Sequence, residues 1–263
     1  MSTERRQAIL TILNVRDSIR VGELSERLGV SEVTIRKDLA FLEDQGFLAR
    51  THGGAVPAER NDPRLSVLAR AQTNAEAKTA IAAAARELIQ HGETIFIDSG
   101  TTTAALADLV TEMELRVVTN NVQVLNRLVD RPGIALFMIG GSYRHDSGSF
   151  IGPWAEENLR RIHLDHAFMG ATGVGWEGTF SARNSIEANT KRAAIAAARS
   201  TVVLADRTKL GVQAFSIFAD AREVSVLVTD ADRETCAPLE ELGIHIVSIR
   251  KNGRVRYEQR DGQ

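Results

Sequence analysis

Short β-rich runs separated by helical stretches are the feature that most constrains the fold of this chain. The runs are TIFIDS (94–99), RVVTN (116–120), IALFMIG (134–140), DHAFMGA (165–171), TVVLAD (201–206), VSVLVTD (224–230) and IHIVSI (244–249). Helices of ordinary length fit between most of them. Strands that alternate with helices form a parallel sheet covered on both faces. We therefore predict an α/β domain with a mostly parallel sheet over residues 75–263.

Composition sets the class of protein. Hydrophobic residues make up 43% of the 263 residues and charged residues 25%, which supports an ordinary globular core. The net charge of −2 gives no global sign of nucleic-acid binding, although DNA binding needs only a local basic face. The single cysteine, Cys236, fits a reducing compartment. With charged residues near the start and no long apolar run, we expect a cytoplasmic protein without a membrane segment.

The first 57 residues carry a different pattern, of short helices followed by a hairpin. The predicted helices are Glu4–Arg16, about Val21–Leu28, and a third that begins after an N-cap at Ser31 and runs to about Gln45. Gly29 and Gly46 end the second and third helices. The following FLARTHGGAV (47–56) is typical of a β-hairpin. We predict a winged helix-turn-helix over residues 1–57, and a linker over 58–74 where prolines and scattered charges show no periodicity.

The third helix is the candidate for reading DNA. Its apolar stripe, Ile35, Leu39 and Leu42, must face the core, which turns Glu32, Val33, Thr34, Arg36 and Lys37 outward. The candidate DNA-binding residues are Ser31, Thr34, Arg36 and Lys37 on the helix and Arg50, Thr51 and His52 on the wing. Arg5 and Arg6 are further candidates for phosphate contacts. The alternative interpretation is an ordinary three-helix cap with solvated charges.

The turn after the first strand of the larger domain resembles a phosphate cradle in outline. A β-run ends at Asp98, and Ser99, Gly100, Thr101, Thr102 and Thr103 then open a helix. Gly100 lets the backbone approach a ligand, the helix start supplies free N–H groups and a positive dipole end, and the hydroxyls add donors. Neither a Walker loop nor a dinucleotide fingerprint is present. An ordinary strand-to-helix turn capped by hydroxyls explains the same residues equally well.

Other candidate binding residues lie where ligands of open α/β sheets collect, at strand ends. They are Thr119, Asn120, Gly140, Gly141, Asp165, Glu187, Lys191, Asp206 and Lys209. Glu187 and Lys191 lie one helical turn apart, and such a pair is usually a surface ion pair. We expect the carboxylates Asp98, Asp165, Glu187 and Asp206 to meet hydroxyl groups of a ligand.

These motifs resemble the DeoR family of bacterial regulators over nearly the whole chain. The stretch VSEVTIRKDLAFLEDQGFLARTHGGA (30–55) matches the family signature, with Lys37 where a second arginine is usual. The motifs EAK (76–78), DSGTTT (98–103), VVTN (117–120), GG (140–141), D-x-AF-x-G (165–170), E…K (187–191) and D-x-x-K-x-G (206–211) follow in the family's order.

The resemblance implies a transcriptional regulator, most simply a repressor, that leaves double-stranded operator DNA when a sugar phosphate binds. It also implies a sensor domain related in fold to ribose-5-phosphate isomerase. Because one winged helix buries little surface on DNA, we expect a homo-oligomer, a dimer or a tetramer.

An enzyme is the main alternative. The related isomerase has a lysine in a glycine-rich loop before the glutamate helix, whereas residues 166–186 contain no lysine and offer only Arg183. Arginine is a poor proton shuttle. We therefore expect no catalysis, no cofactor and, because the histidines are scattered, no metal site. A third alternative is a structural protein whose helix-turn-helix binds a protein partner, which the outward basic residues disfavour.

Overall fold

The chain divides between Thr73 and Asn74 into two compact units in the computed structural model. The structure describes residues 2–14, 18–44, 48–51, 53–57, 70–71 and 73–249. The predicted ends at Gln45 and Gly46, the candidate His52 and most of the predicted linker therefore lie outside the described residues. No helix in the described part of the chain is long and apolar enough to cross a membrane.

The smaller unit has the helices and strands of a winged helix-turn-helix. Its elements are α1 (Ser2–Asn14), β1 (Ile19–Arg20), α2 (Val21–Leu28), α3 (Glu32–Asp44), β2 (Leu48–Thr51) and β3 (Gly54–Pro57). The strands form an antiparallel sheet in the order β1-β3-β2. Gly29 follows α2 in the left-handed conformation with φ 64°, as predicted for a helix end.

The core of this unit lies between the three helices and the sheet. Ile35, Leu39 and Leu42 are fully buried there, which confirms the predicted inward stripe of α3. Gly54, in the HGGA motif, has a steric role. A Cβ at this position would lie 1.9 Å from the Ile19 carbonyl oxygen, so only glycine lets β3 pair closely with β1.

A buried ion pair joins α1 to α3. Asp38 is 2% exposed and accepts hydrogen bonds from Arg5 Nε at 2.5 Å and Arg6 Nε at 2.8 Å. The Arg6 guanidinium also stacks 3.7 Å from the centre of the Phe41 ring. Burial alone would raise the pKa of Asp38, but the two guanidinium groups hold it below its ordinary value. Arg5 and Arg6 thus join α1 to α3, and their contact with phosphate stays a prediction.

The larger unit is a three-layer α/β domain. Its helices are α4 (Ala75–Arg86), α5 (Thr101–Leu109), α6 (Val122–Leu128), α7 (Pro153–Leu159), α8 (Ser185–Ala197) and α9 (Arg233–Glu241). Its strands are β4 (Thr94–Ile97), β5 (Leu115–Thr119), β6 (Ile134–Met138), β7 (Ser142–Arg144), β8 (Ser149–Ile151), β9 (Leu164–Gly170), β10 (Gly173–Val174), β11 (Phe180–Ala182), β12 (Ala198–Leu204), β13 (Ser216–Ala219), β14 (Val226–Thr229) and β15 (His245–Ser248).

The central sheet has seven strands in the order β15-β14-β12-β9-β4-β5-β6, and every neighbouring pair is parallel, as predicted. Alternate residues of a strand point to opposite faces, so the sheet has a core on each side. Ile95 and Ile97 pack with α4, α5 and α6, whereas Phe96 packs in the core with α7, α8 and α9.

Two small antiparallel elements lie outside the central sheet. The strands β10, β11 and β13 form one sheet, and β7 and β8 form a hairpin. The hairpin adjoins the end of β5, because Phe150 N donates to the Asn120 carbonyl at 2.8 Å. It also adjoins α8, because Gly152 N donates to Thr190 Oγ1 at 3.1 Å. The hairpin therefore links the end of β5 to helix α8.

We expect Asp38→Asn to lower the free energy of unfolding of the smaller unit by about 1–3 kcal/mol at neutral pH. The amide has one acceptor oxygen instead of two and no charge to pair with the two arginines. The folded pKa of Asp38 is depressed, so its contribution is present above the unfolded value and fades as the pH falls through the folded value. Hydrogen exchange of α3 amides in the full chain measures both effects.

The matched control is Glu23→Gln, which removes an exposed ion pair with Arg27 at 3.4 Å. Such a pair contributes at most about 0.5 kcal/mol. Equal protection of α3 in wild type and Asp38→Asn at neutral pH would contradict a stabilising role for the buried pair.

Candidate functional site

The start of α3 is capped by its own hydroxyl groups. Ser31 Oγ accepts from the Thr34 backbone N–H at 3.3 Å, and the two side-chain oxygens share a hydrogen bond of 2.9 Å. Ser31 is thus the N-cap, as predicted. The hydroxyls of these two candidate DNA-binding residues are bonded to each other in the protein alone.

The outward face of α3 carries cations, one of them paired locally. Arg36 is exposed, and its Nη2 donates to Glu32 Oε2 at 2.7 Å across one helical turn. Lys37 is exposed beside it. Because an exposed pair of this kind contributes little, Arg36 can exchange Glu32 for a more strongly charged partner. Arg36 and Lys37 lie where a cationic contact to DNA is expected.

Arg50, the arginine of the wing, makes more hydrogen bonds to its carboxylate partner than Arg36 does. Arg50 donates from Nε to Glu43 Oε2 at 2.6 Å and from its backbone N–H to Glu43 Oε1 at 2.8 Å. The backbone hydrogen bond, aided by the guanidinium, holds the pKa of Glu43 below its ordinary value. Thr51 is exposed next to it. Arg50 thus ties β2 to α3, a role that the sequence pattern did not indicate.

A crevice is expected in the larger unit where the strand order reverses. From β4 the chain runs through β5 to β6 on one side, and from β9 it runs through β12 to β14 and β15 on the other. In open α/β sheets, ligands bind outside the carboxyl ends of the two strands at such a switch point. Here those ends are Asp98 after β4 and Gly170 in β9, and Gly170 N donates to Asp98 Oδ2 at 3.0 Å.

A buried ion pair lies at this switch point. Lys191 Nζ donates to Asp98 Oδ2 and, at 3.0 Å, to the Gly170 carbonyl, and it lies 3.7 Å from Glu187 Oε1. Lys191 and Asp98 are 3% and 1% exposed. Burial alone would lower the pKa of Lys191, but the carboxylates of Asp98 and Glu187 raise it above its ordinary value.

Two predictions are corrected by this geometry. The sequence predicts that Asp98 faces ligand hydroxyls, but its carboxylate points inward to Lys191 and Gly170. The sequence also predicts that Lys191 lies at the surface or on a ligand. In the structure this lysine is buried and pairs with Asp98, which avoids the high cost of an unpaired buried charge. Glu187 is less buried, and besides its contact with Lys191 its carboxylate accepts a long hydrogen bond, of 3.4 Å, from the cap residue Asn184. It is therefore the carboxylate of this cluster that remains open to a ligand.

The Ser99–Thr103 turn begins helix α5 beside this pair. Thr103 is fully buried, and its hydroxyl donates to the carbonyls of Asp98 at 2.7 Å and Gly100 at 3.0 Å. It braces the turn, so it is not one of the predicted ligand donors. The hydroxyls of Thr101 and Thr102 remain, with that of Ser99, which makes a long hydrogen bond of 3.5 Å to Asp98 Oδ1. The backbone N–H groups of the first helical turn have no intrahelical partner. Anions bind readily at such a helix start.

The end of β5 supplies one structural and one open group. Thr119 is fully buried, donates to the Ile97 carbonyl at 2.7 Å and accepts from Asn121 N, so its predicted ligand contact is wrong. Asn120 Nδ2 donates to the Phe150 carbonyl at 3.2 Å. Its Oδ1 is buried and has no hydrogen-bond partner among the described residues. That oxygen can accept a hydrogen bond from a ligand, which would remove the cost of leaving it unpaired.

Glycines shape the next loop. Gly141 has φ 157°, and a Cβ there would lie 2.7 Å from the Ile151 carbonyl oxygen, so glycine is needed for the β7–β8 hairpin to close. A Cβ at Gly140 would meet open space. Gly141 therefore serves the fold, whereas Gly140 remains a candidate for ligand approach.

The remaining candidates divide between the two edges of the sheet. Asp165 lies at the start of β9, where its Oδ2 accepts from Thr94 N at 2.9 Å, at the opposite edge from Asp98. Its predicted place in the ligand site is therefore wrong. Asp206 follows β12 on the correct edge, but it is buried and caps a short 3-10 turn by accepting from Thr208 N at 3.0 Å. Lys209, at the end of that turn, is partly exposed.

The arrangement favours binding over proton transfer. Its lysine is held protonated between two carboxylates, and its helix start offers neutral donors. Among the described residues, no group of three histidine, cysteine or acidic side chains is arranged to hold a metal ion.

Sequence reasoning missed Gly170 as a partner of Asp98 and Phe150 as a partner of Asn120, because neither backbone contact has a sequence signal.

Comparisons with known proteins agree with both units. Residues 5–61 match the model of the DeoR-like helix-turn-helix domain, and residues 73–231 match that of the DeoR C-terminal sensor domain. Among solved structures, a ribose 5-phosphate isomerase from Methanocaldococcus jannaschii is similar with a TM-score of 0.40 and 19% identity, over 52% of this chain and 55% of that chain.

Curated relatives align over almost the full length. An uncharacterized HTH-type transcriptional regulator of Bacillus subtilis is 34% identical over 94% of this chain and 96% of its own. A putative aga operon transcriptional repressor of Escherichia coli is 34% identical over 94% of each. A lactose phosphotransferase system repressor of Staphylococcus epidermidis is 31% identical over 86% of this chain and 91% of its own. This chain belongs to the DeoR family of transcriptional regulators.

Proposed function

We propose that this protein represses an operon for sugar uptake or breakdown and that a phosphorylated sugar releases it from double-stranded operator DNA. Two relatives, named as a putative repressor of the aga operon and as a repressor of a lactose phosphotransferase system, support a sugar operon as the target. The observation that carries the effector assignment is the set of groups at the switch point of the strand order. It brings a helix start, a buried ion pair and an open carboxylate together within a sensor domain.

The phosphate would bind at the start of α5. The hydroxyls of Ser99, Thr101 and Thr102 and the first N–H groups of the helix are the donors there, and the helix dipole favours negative charge. The sugar hydroxyls would lie toward the Glu187 carboxylate and the side-chain Oδ1 of Asn120, both of which accept hydrogen bonds. Gly140, Asp206 and Lys209 are candidates for the margin of the site.

On the DNA side, α3 would enter the major groove, with Arg36 and Lys37 contacting bases or phosphates and Arg50, Thr51 and His52 contacting the backbone from the wing. A homo-oligomer, a dimer or a tetramer, would present α3 in pairs to operator half-sites. The protein would work in the cytoplasm, where both DNA and phosphorylated sugars are found.

We expect Arg36→Ala with Lys37→Ala to abolish binding to a duplex that the full-length protein selects from a random-sequence pool. Both side chains are exposed, so the fold is retained. A variant with one of the two substitutions should flatten the log–log dependence of affinity on salt by about one unit for each phosphate that no longer meets a cation. Fluorescence anisotropy titrations at several salt concentrations measure both effects.

The matched control is Arg160→Ala with Arg161→Ala, which removes two exposed neighbouring cations just after α7 in the larger unit. It changes the net charge equally and should leave DNA affinity unchanged. Unchanged affinity in the α3 variant would disprove the placement of DNA on α3.

Phosphorylated sugars, and not their unphosphorylated parents, should release the protein from the selected duplex. Thr101→Ala with Thr102→Ala should stay bound at concentrations that release the wild type. Charge-assisted hydrogen bonds contribute about 1.5–3 kcal/mol each, so losing two weakens effector binding by about a hundredfold or more. Release is measured as the fall in anisotropy of labelled DNA.

Thr79→Ala is the control, because Thr79 is an exposed threonine whose hydroxyl donates to its own helix, at the Ala75 carbonyl. Release by the free sugar at the same concentration, or normal release of the double variant, would disprove the proposal that the phosphate binds at this turn.

We expect no interconversion of aldose and ketose phosphates, since the raised pKa of Lys191 keeps it from shuttling protons and the isomerase lysine is missing. A coupled assay with several pentose and hexose phosphates checks this. Turnover that Glu187→Gln abolishes would favour the enzyme alternative.

A further inference from the structure

Val33 is a large apolar side chain that α3 leaves 61% exposed. It is the second residue of the helix, and the buried stripe that begins at Ile35 lies on the opposite face. A β-branched residue at an exposed helix position gains no packing energy and has a slightly unfavourable helix propensity. The core of the smaller unit therefore does not account for valine at this position.

The neighbours of Val33 on the helix surface are the cations of the proposed DNA face. Residues three and four positions apart lie side by side on a helix, which places Arg36 and Lys37 next to Val33. The N-terminal residues of a recognition helix are the ones that reach base edges in the major groove. Val33 is thus an apolar group on a face that otherwise carries charge.

The major groove exposes a single kind of apolar group, the 5-methyl of thymine. We propose that Val33 reads a thymine by packing its methyl groups against that 5-methyl, beside the base or phosphate that Arg36 contacts. The inference rests on the proposed DNA-reading function and adds a specificity-determining residue to it. Water leaves both apolar surfaces on contact, so the preference for thymine over a pyrimidine without the methyl follows from burial alone.

Deoxyuridine in place of thymidine tests this directly, because it removes one methyl group and changes neither the charge nor the base pairing. The duplex selected by the full-length protein is remade with one thymidine replaced at a time, and each dissociation constant is measured. Burial of one methyl corresponds to about a fourfold change in affinity. We expect the affinity of the wild type to fall about three- to tenfold at one thymidine in each half-site.

At that same position, Val33→Ala should bind the thymidine and deoxyuridine duplexes nearly equally, since both γ-methyl groups that reach the base are gone. Val33→Thr keeps one methyl group and should retain part of the discrimination. Val129→Ala is the matched control, because Val129 is a valine of the larger unit that is 59% exposed. It should show the full wild-type discrimination.

Two results would overturn the assignment: no thymidine whose replacement weakens wild-type binding, or undiminished discrimination in both Val33 variants. Both of these results leave DNA binding itself intact. If the full-length protein enriches no duplex from the random pool, the proposed DNA-reading function fails, and the role of Val33 fails with it.

Discussion

The buried Asp98–Lys191 pair is the interaction on which the geometry of the larger unit depends. It joins the carboxyl ends of β4 and β9 to helix α8 at the point where the strand order reverses. Removing one member of such a pair leaves an uncompensated buried charge, which typically costs about 3–5 kcal/mol. Because each charge also accepts or donates a backbone hydrogen bond, the pair fixes the separation of the two strand ends. The two strand ends and the start of α8 are therefore held in a defined arrangement before any ligand arrives.

The same pair decides which groups are left for a ligand. Lys191 cannot serve as a free cation for a phosphate, because it already pairs with Asp98 and lies beside a second carboxyl group, that of Glu187. An anion is therefore favoured at the start of α5, where the donors are neutral, and hydroxyl groups are favoured beside Glu187. This division explains how a site without a basic residue in its turn can suit a ligand that is anionic at one end and polyhydroxylated at the other.

Periodicity predicted the fold because it records burial, and burial dominates the choice of element. The inward stripe of α3 and the parallel sheet with helices on both faces both follow from it. The errors share another cause, which is that the pattern does not say where a polar group finds its partner. Asp165 precedes its apolar run and so lies at the amino edge of the sheet. Thr103 bonds to carbonyls of its own turn, and Thr119 bonds to the Ile97 carbonyl of the neighbouring strand β4. Arg5 pairs with Asp38 across 33 residues, a contact without any local signal.

The smaller unit shows how a chain of net charge −2 can still discriminate among DNA sequences. Several of its cations already have carboxylate partners: Arg36 has Glu32, Arg50 has Glu43, and Arg5 and Arg6 share Asp38. A phosphate must displace such a partner before it gains the cation, so each exchange yields less free energy than contact with an unpaired cation. Weak sequence-independent attraction raises the ratio of specific to non-specific binding, because base contacts then supply a larger share of the total. Pre-paired arginines thus weaken sequence-independent attraction and leave base contacts to supply more of the selectivity.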